Sequence, residues 1–212
     1  MNATICYYTA NTEDESFEMK IRDNILQVSG GLPIISVSRK PIDFGENICV
    51  GEQPVCYANS IRQLLVGLRA AKTRFVIAAE SDVLYPPEYF QFTPRKIDRV
   101  YRYANVWILY TWTSRRYYGK FWQKKYTESA QMCGREHWIR SIENIIDGDA
   151  WGDTMNPPLV FERGVRGCSW SGNPVITCKT PYNLGRYTTT SYISTETLPY
   201  WGNISDVIRS LQ

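Results

Sequence analysis

The chain contains no apolar run approaching the length of a bilayer span. Its first residues, Met1-Asn2-Ala3-Thr4, also lack the basic-then-apolar pattern of a secretory signal. A soluble, cytoplasmic protein is the expectation. Cysteine never occurs as CxxC: Cys6, Cys49, Cys56, Cys133, Cys168 and Cys178 are scattered, and a chain of 212 residues needs no covalent staples, so free thiols are expected. No GxGxxG follows the first predicted strand and no GxxxxGK[ST] occurs anywhere, which removes the expected support for dinucleotide and P-loop readings. Neither charge sign dominates, for a net charge of +3 does not require a nucleic-acid partner. The sole histidine, His137, falls inside a predicted helix, where a packed or surface role outweighs a catalytic one. Internal repeats and low-complexity linkers are missing as well. The hydrophobic share of 43% supports a normal core, and the charged share of 21% is too modest for a disordered chain.

What is present is a rhythm of strands and helices. Residues 4–8 are β-rich and lead into the polar turn Thr9-Ala10-Asn11-Thr12. Asp14 or Ser16 can cap a helix through about Val28, with Phe17, Ile21, Ile25 and Val28 on its inner face, and Gly30-Gly31 ends it. Residues 33–38 read as a second buried strand, followed by a loop with Pro41, Gly45, Gly51 and Pro54. Ile61, Leu64, Leu65 and Leu68 fall at helical spacing, so residues 57–72 form an amphipathic helix. Phe75-Val76-Ile77-Ala78-Ala79 is an apolar run short enough to be a strand covered on both faces. Such an alternation predicts an α/β fold: a single domain over residues 1–212, with a mostly parallel, mixed sheet flanked by helices. Further along, residues 106–110 and 174–178 read as strands and residues 134–146 and 204–211 as helices. Residues 147–156 form a polar loop carrying Asp147, Asp149 and Asp153.

The apolar run at 75–79 ends directly on Glu80-Ser81-Asp82, and Pro86-Pro87 prevents a long continuation of regular structure. Ligands of open α/β sheets sit just beyond the carboxyl ends of the strands. Acids placed there, one residue apart, suit a divalent cation and a phosphate; a helix cap for Glu80 and turn formation for Asp82 are the plainer readings. Arg95, Lys96, Arg99 and Arg102 form one basic cluster. Arg115, Arg116, Lys120, Lys124 and Lys125 form another, interleaved with Tyr117, Tyr118, Phe121, Trp122 and Tyr126. The second mixture suits a stacking surface for sugars or bases near phosphates, or equally a solvated hairpin over a satellite aromatic core.

Several of these stretches together resemble family-2-like glycosyltransferases of the GT-A (Rossmann-like) fold. The resemblance rests on Ala58-Asn59-Ser60-Ile61-Arg62-Gln63, Gly67, Ala70-Ala71-Lys72-Thr73, the strand at 75–79 and Glu80-Ser81-Asp82, with Thr9-Ala10-Asn11 matching the N-terminal nucleotide loop. It covers roughly residues 1–110 well, which it marks as a nucleotide-sugar half, and residues 111–212 loosely, as an acceptor-side half. The chain departs from the family in having Ser36-Val37-Ser38-Arg39-Lys40 where Asp-Asp-Gly-Ser is usual. It also has Thr180-Pro181-Tyr182-Asn183-Leu184-Gly185-Arg186 where a late histidine is usual.

The resemblance implies a metal-dependent transfer of sugar from a nucleotide-sugar, with uridine diphosphate as leaving group and Mn²⁺ or Mg²⁺ as cofactor. It implies Asp82 as first metal ligand, with Glu80 on the donor or on a metal-bound water and Asn183 as a weak further ligand. Nucleotide-sugar contacts are then expected from Thr9, Asn11, Arg39, Arg62, Glu80, Ser81 and Arg186, a structural ion pair being the other reading of Arg62. For the catalytic base of an inverting reaction it points to Asp153, then Asp149, with Trp151 between them to stack on a sugar ring, and Glu136 behind both. The acceptor is a saccharide, a small molecule or a hydroxymethylated pyrimidine in DNA, with Lys124 and Lys125 as phosphate contacts in the last case. The alternatives are a nucleotidyltransferase, against which Asn11-Thr12-Glu13-Asp14 is the opposite of a Gly-rich basic turn, and a nucleic-acid-binding module without catalysis.

Overall fold

A computed structural model describes residues 2–113, 116–124, 127–146, 168–183 and 190–212. Strand β1 (Ala3–Thr9) is buried over its whole length and lies inside the main sheet. Helix α1 (Glu15–Val28) follows, capped by the Asp14 carboxylate on the Ser16 N–H, and turns Phe17, Ile21, Ile25 and Val28 inward. Next come β2 (Ile34–Ser38), β3 (Glu46–Cys49), α2 (Tyr57–Ala70) and β4 (Phe75–Glu80). Then β5 (Val83–Leu84), α3 (Pro87–Gln91), β6 (Val100–Tyr103), β7 (Val106–Tyr110), β8 (Phe121–Lys124), β9 (Gln131–Gly134) and α4 (Arg135–Glu143) lead on. The chain ends with β10 (Ser169–Trp170), β11 (Val175–Lys179), β12 (Thr190–Thr195), the β13 (Thr197–Leu198) and β14 (Gly202–Asn203) hairpin, and α5 (Ile204–Leu211).

The main sheet has the order β10-β6-β9-β4-β1-β2-β3. Its neighbours run parallel except at β9, which is antiparallel to both β4 and β6. This is the mostly parallel, mixed, Rossmann-like sheet that the strand and helix rhythm predicts. Alternation explains why β1 and β4 are apolar throughout. Ile5, Tyr7, Ile77 and Ala79 belong to the core under α1 and α5, whereas Cys6, Tyr8, Val76 and Ala78 belong to the core under α2 and α4. On the second face α2 lies close because Gly67 has no side chain: a Cβ there would sit 2.2 Å from Cys6 Sγ. The six cysteines form no disulfide with one another. No helix among the described residues is long and apolar enough to cross a membrane.

A second sheet, absent from the sequence expectations, has the order β12-β8-β7-β11-β5. Its last strand begins one residue beyond Asp82, and Thr177 of β11 pairs with Val83. The chain therefore leaves the main sheet at Glu80 and enters the second at Val83, with Ser81 and Asp82 as the joint. The Cys178 N–H donates to the Asp82 carbonyl at 2.7 Å and fixes that joint. Two layers of sheet thus meet at the acid pair.

Candidate functional site

A cleft of about 370 Å³ opens where the carboxyl ends of β1, β2 and β4 face β8 and β11 of the second sheet. Thr9, Arg39, Glu80, Ser81, Asp82 and Asn183 line it, so most of the residues expected at a donor site do come together. The end of β1 is held rigidly. The Thr9 hydroxyl donates to the buried Glu18 carboxylate at 2.7 Å and accepts from the Asn11 N–H, while Gln63 of α2 donates to the Thr9 carbonyl at 2.7 Å. The end of β4 is fixed by the fully buried Tyr85, whose hydroxyl accepts from the Glu80 N–H and donates to the Ser129 carbonyl. Tyr8 donates to Glu80 Oε1 at 2.6 Å. Burial, reinforced by the neighbouring Asp82 charge, pushes the Glu80 carboxyl above its ordinary range, against the pull of Tyr8, Lys124 and Lys179. Burial raises Asp82 too, opposed by Lys179 and Lys124.

Three expected contacts take other roles. Asn11 adopts a left-handed backbone, φ 50°, and its side-chain oxygen accepts from the N–H groups of Arg39 and Lys40. It ties the β1 loop to the β2 loop and does not line the cleft. Arg62 is buried within α2, where it donates to Asn59 Oδ1 at 3.0 Å, and it stays away from the cleft wall. Asn183 stands beside Asp82, but as a bridge. Its Nδ2 donates to Asp82 Oδ2 at 2.9 Å and to Glu13 Oε1 at 3.1 Å, while its Oδ1 accepts from the Thr180 N–H at 2.6 Å. The amide oxygen, the atom of Asn183 able to ligate a cation, accepts that one hydrogen bond and keeps a second lone pair. Arg39 does line the cleft, donating to the Ala10 carbonyl and pairing with Glu52.

Glu136, the reserve candidate for a base, pairs with Arg135 and lines a separate groove with Asn2 and Arg74, at the opposite ends of β1 and β4. Asp149, Asp153, Trp151 and Arg186 lie outside the described residues. In the basic and aromatic segment, Phe121 is fully buried, Tyr117 stacks on Tyr110 at 5.4 Å, and Trp122 meets Tyr117 edge-on. Phe121 belongs to the main core, Tyr110, Tyr117 and Trp122 pack together beside it, and only Tyr118 among the described rings of that segment is exposed. Arg115, Lys125 and Tyr126 lie outside the described residues.

The cleft also holds residues that sequence reasoning missed. Glu13 accepts from the Thr180 hydroxyl at 2.8 Å and from Asn183, and burial raises its carboxyl to about 7 despite the Thr180 bond. Its signal was a carboxylate directly after the turn that ends β1. Lys124, expected on DNA phosphates, points into the cleft instead and donates to Thr127 Oγ1 at 3.2 Å. Burial lowers its ammonium, and the like charge of Lys179 adds to the effect. Lys179 is itself buried and lines the same wall; a charge closing an apolar strand was its only signal.

Among the described residues no group of three or more His, Cys, Asp or Glu side chains is arranged to hold a metal. Glu80 and Asp82 remain as a pair of carboxylates on the cleft floor. That donor set fits a hard cation whose remaining ligands come from substrate phosphates and water.

No family model and no curated protein matches this sequence. Among solved structures, the chain is similar to the bifunctional IspDF from Campylobacter jejuni, at 12% identity and a TM-score of 0.43, covering 81% of this chain and 49% of that one. It is similar also to S. aureus TarS 1–349, at 10% identity and a TM-score of 0.42, covering 72% of this chain and 52% of that one. The chain spans about half the length of these structures.

Proposed function

We propose that this chain is a glycosyltransferase that moves a sugar from a nucleoside-diphosphate donor, of which uridine diphosphate is the expected nucleotide part, to a hydroxyl acceptor. One observation carries the reading. A buried parallel strand ends on Glu80-Ser81-Asp82 at the floor of a cleft whose other walls are the β1 and β2 carboxyl ends, the place where open α/β sheets bind nucleotides. Thr9 and Arg39 then face the nucleoside, and Glu80 faces the donor sugar or ribose. Asp82 and Glu80 would hold Mg²⁺ or Mn²⁺, which when bound offsets charge on the diphosphate as it leaves.

In the reaction the bond between the anomeric carbon and the diphosphate oxygen breaks, and the acceptor oxygen bonds to the same carbon. The transition state has oxocarbenium character. The acceptor hydroxyl loses its proton to a carboxylate, for which Asp153 and then Asp149 are the candidates. The acceptor is a saccharide, a small molecule or a hydroxymethylated pyrimidine in DNA. Calorimetry with uridine diphosphate and Mn²⁺ tests the donor reading, with saturable binding expected. Absence of binding to uridine, guanosine, cytidine, adenosine and thymidine diphosphates alike, with the cation present, would overturn it.

A further inference from the structure

We propose that Lys124, Lys179 and Thr177 form a diphosphate-binding strip on the second-sheet wall of the cleft, facing the acid pair. The proposal rests on the nucleoside-diphosphate reading above and assigns the groups that grip the diphosphate itself. Thr177 and Lys179 are two residues apart on β11, so their side chains leave the same face of the strand, and both line the cleft. Asp82 lines the same cleft, and the Lys179 charge acts on it. Lys124 ends β8 and reaches the same space.

Two features of the strip call for an anion. Lys179 is only 7% exposed, and its charge and that of Lys124 act on each other, so like-charged ammonium groups have been brought into one partly desolvated wall. Such an arrangement is unfavourable unless negative charge faces it, a place that Glu80 and Asp82 hold and that a diphosphate can take over. The second feature is the Thr177 hydroxyl, on a residue 2% exposed, which has no hydrogen-bond partner among the described residues. A buried hydroxyl left unpaired costs free energy, and a phosphate oxygen would accept its proton as readily as it accepts from the ammonium groups.

Across the cleft the charges of Lys124 and Lys179 offset those of Glu80 and Asp82. A diphosphate entering between them takes the lysines as partners and frees the acids for a cation. The strip therefore gives the donor an attraction for the protein that does not depend on the cation, and it makes cation and diphosphate bind cooperatively.

The test is calorimetry with uridine diphosphate, inorganic pyrophosphate and uridine, in EDTA and in Mn²⁺, on wild type and on Lys124→Met, Lys179→Met and Thr177→Val. Wild type should bind uridine diphosphate in EDTA, more weakly than with Mn²⁺, and pyrophosphate should compete. Each methionine variant should lose roughly ten- to a hundred-fold in that metal-free affinity, the range for a hydrogen bond to a charged group. Thr177→Val should lose less, and uridine affinity should stay within about twofold throughout, as expected for a site that recognises phosphate. Circular dichroism checks the fold, and if Lys179→Met is unfolded, Lys124→Met and Thr177→Val carry the test. Unchanged diphosphate affinity in the folded variants overturns the strip and leaves the donor reading standing. A wild type that binds no nucleoside diphosphate even with Mn²⁺ overturns both.

Discussion

Glu13→Gln separates a charge from a shape at the edge of the cleft. Both hydrogen bonds that Glu13 receives, from the Thr180 hydroxyl and from Asn183 Nδ2, end on the same oxygen, Oε1, and a glutamine keeps that oxygen. What changes is titration. The carboxyl moves from an ordinary 4.5 to about 7 in the folded protein, with burial as the largest cause. The folded state therefore keeps a proton that the unfolded chain releases between those values. Stability from this group is full below the unfolded value and is lost as pH rises through about 7. At about 1.36 kcal/mol for each pH unit between the two values, the ceiling is about 3 kcal/mol. Glu13 is only partly buried, so solvent screening reduces this to about 1–2 kcal/mol. Glutamine carries no such pH dependence. Urea unfolding in EDTA should therefore show the two proteins alike near pH 4.5 and the glutamine variant more stable by about 1–2 kcal/mol at pH 8. Titrations common to both proteins cancel in the difference. A difference that stays flat with pH, or a variant less stable at pH 8, would refute the reasoning.

The parts of the fold legible in the sequence are those marked by a local apolar run or periodicity, even where their partners are distant, as β4 is from β1. β1 and β4 were readable as buried strands because every residue faces one core or the other, and α2 because its apolar stripe follows one face. The acid pair was readable for the same reason, since a strand end followed at once by charge marks its own position. The second sheet was not readable. Lys124 and Lys179 meet only because β8 and β11 both pair with β7, a consequence of pairing across long stretches of chain that no periodicity records. β9 escaped because Gln131 and Gly134 interrupt its apolar pattern, although all of its residues are buried between β4 and β6. Arg62 misled because a cation near the start of a helix looks like a ligand contact, whereas Asn59, one turn away, occupies it. The aromatic segment was left open between two readings: Tyr117 and Trp122 pack on each other, which composition alone does not distinguish from stacking on a ligand.

Gly67→Ala should destabilise the protein by about 1–3 kcal/mol despite the better helix propensity of alanine, because the new methyl meets Cys6 Sγ. Thermal unfolding of Cys6→Ala/Gly67→Ala should recover most of the loss, and additive losses would show that the close approach of α2 to β1 has another origin. Asp82→Asn should abolish the enhancement of uridine diphosphate binding by Mn²⁺ while circular dichroism stays unchanged, since the amide removes a charged oxygen ligand and keeps the shape. An enhancement equal to that of wild type would move the cation elsewhere. The final expectation concerns proton transfer. If the reaction inverts the sugar centre, one acid near Trp151 must take the acceptor proton while the opposite half of the protein holds the donor. Asp153→Asn should then lower kcat by about 10²–10⁴-fold with little change in donor affinity, because an amide fills the same space but cannot accept the proton. Asp149→Asn should have the smaller effect. The reverse order would make Asp149 the base. Near-normal turnover in both variants would exclude the pair, and with Glu136 at the opposite ends of β1 and β4 from the cleft, it would favour a mechanism that retains the configuration of the sugar.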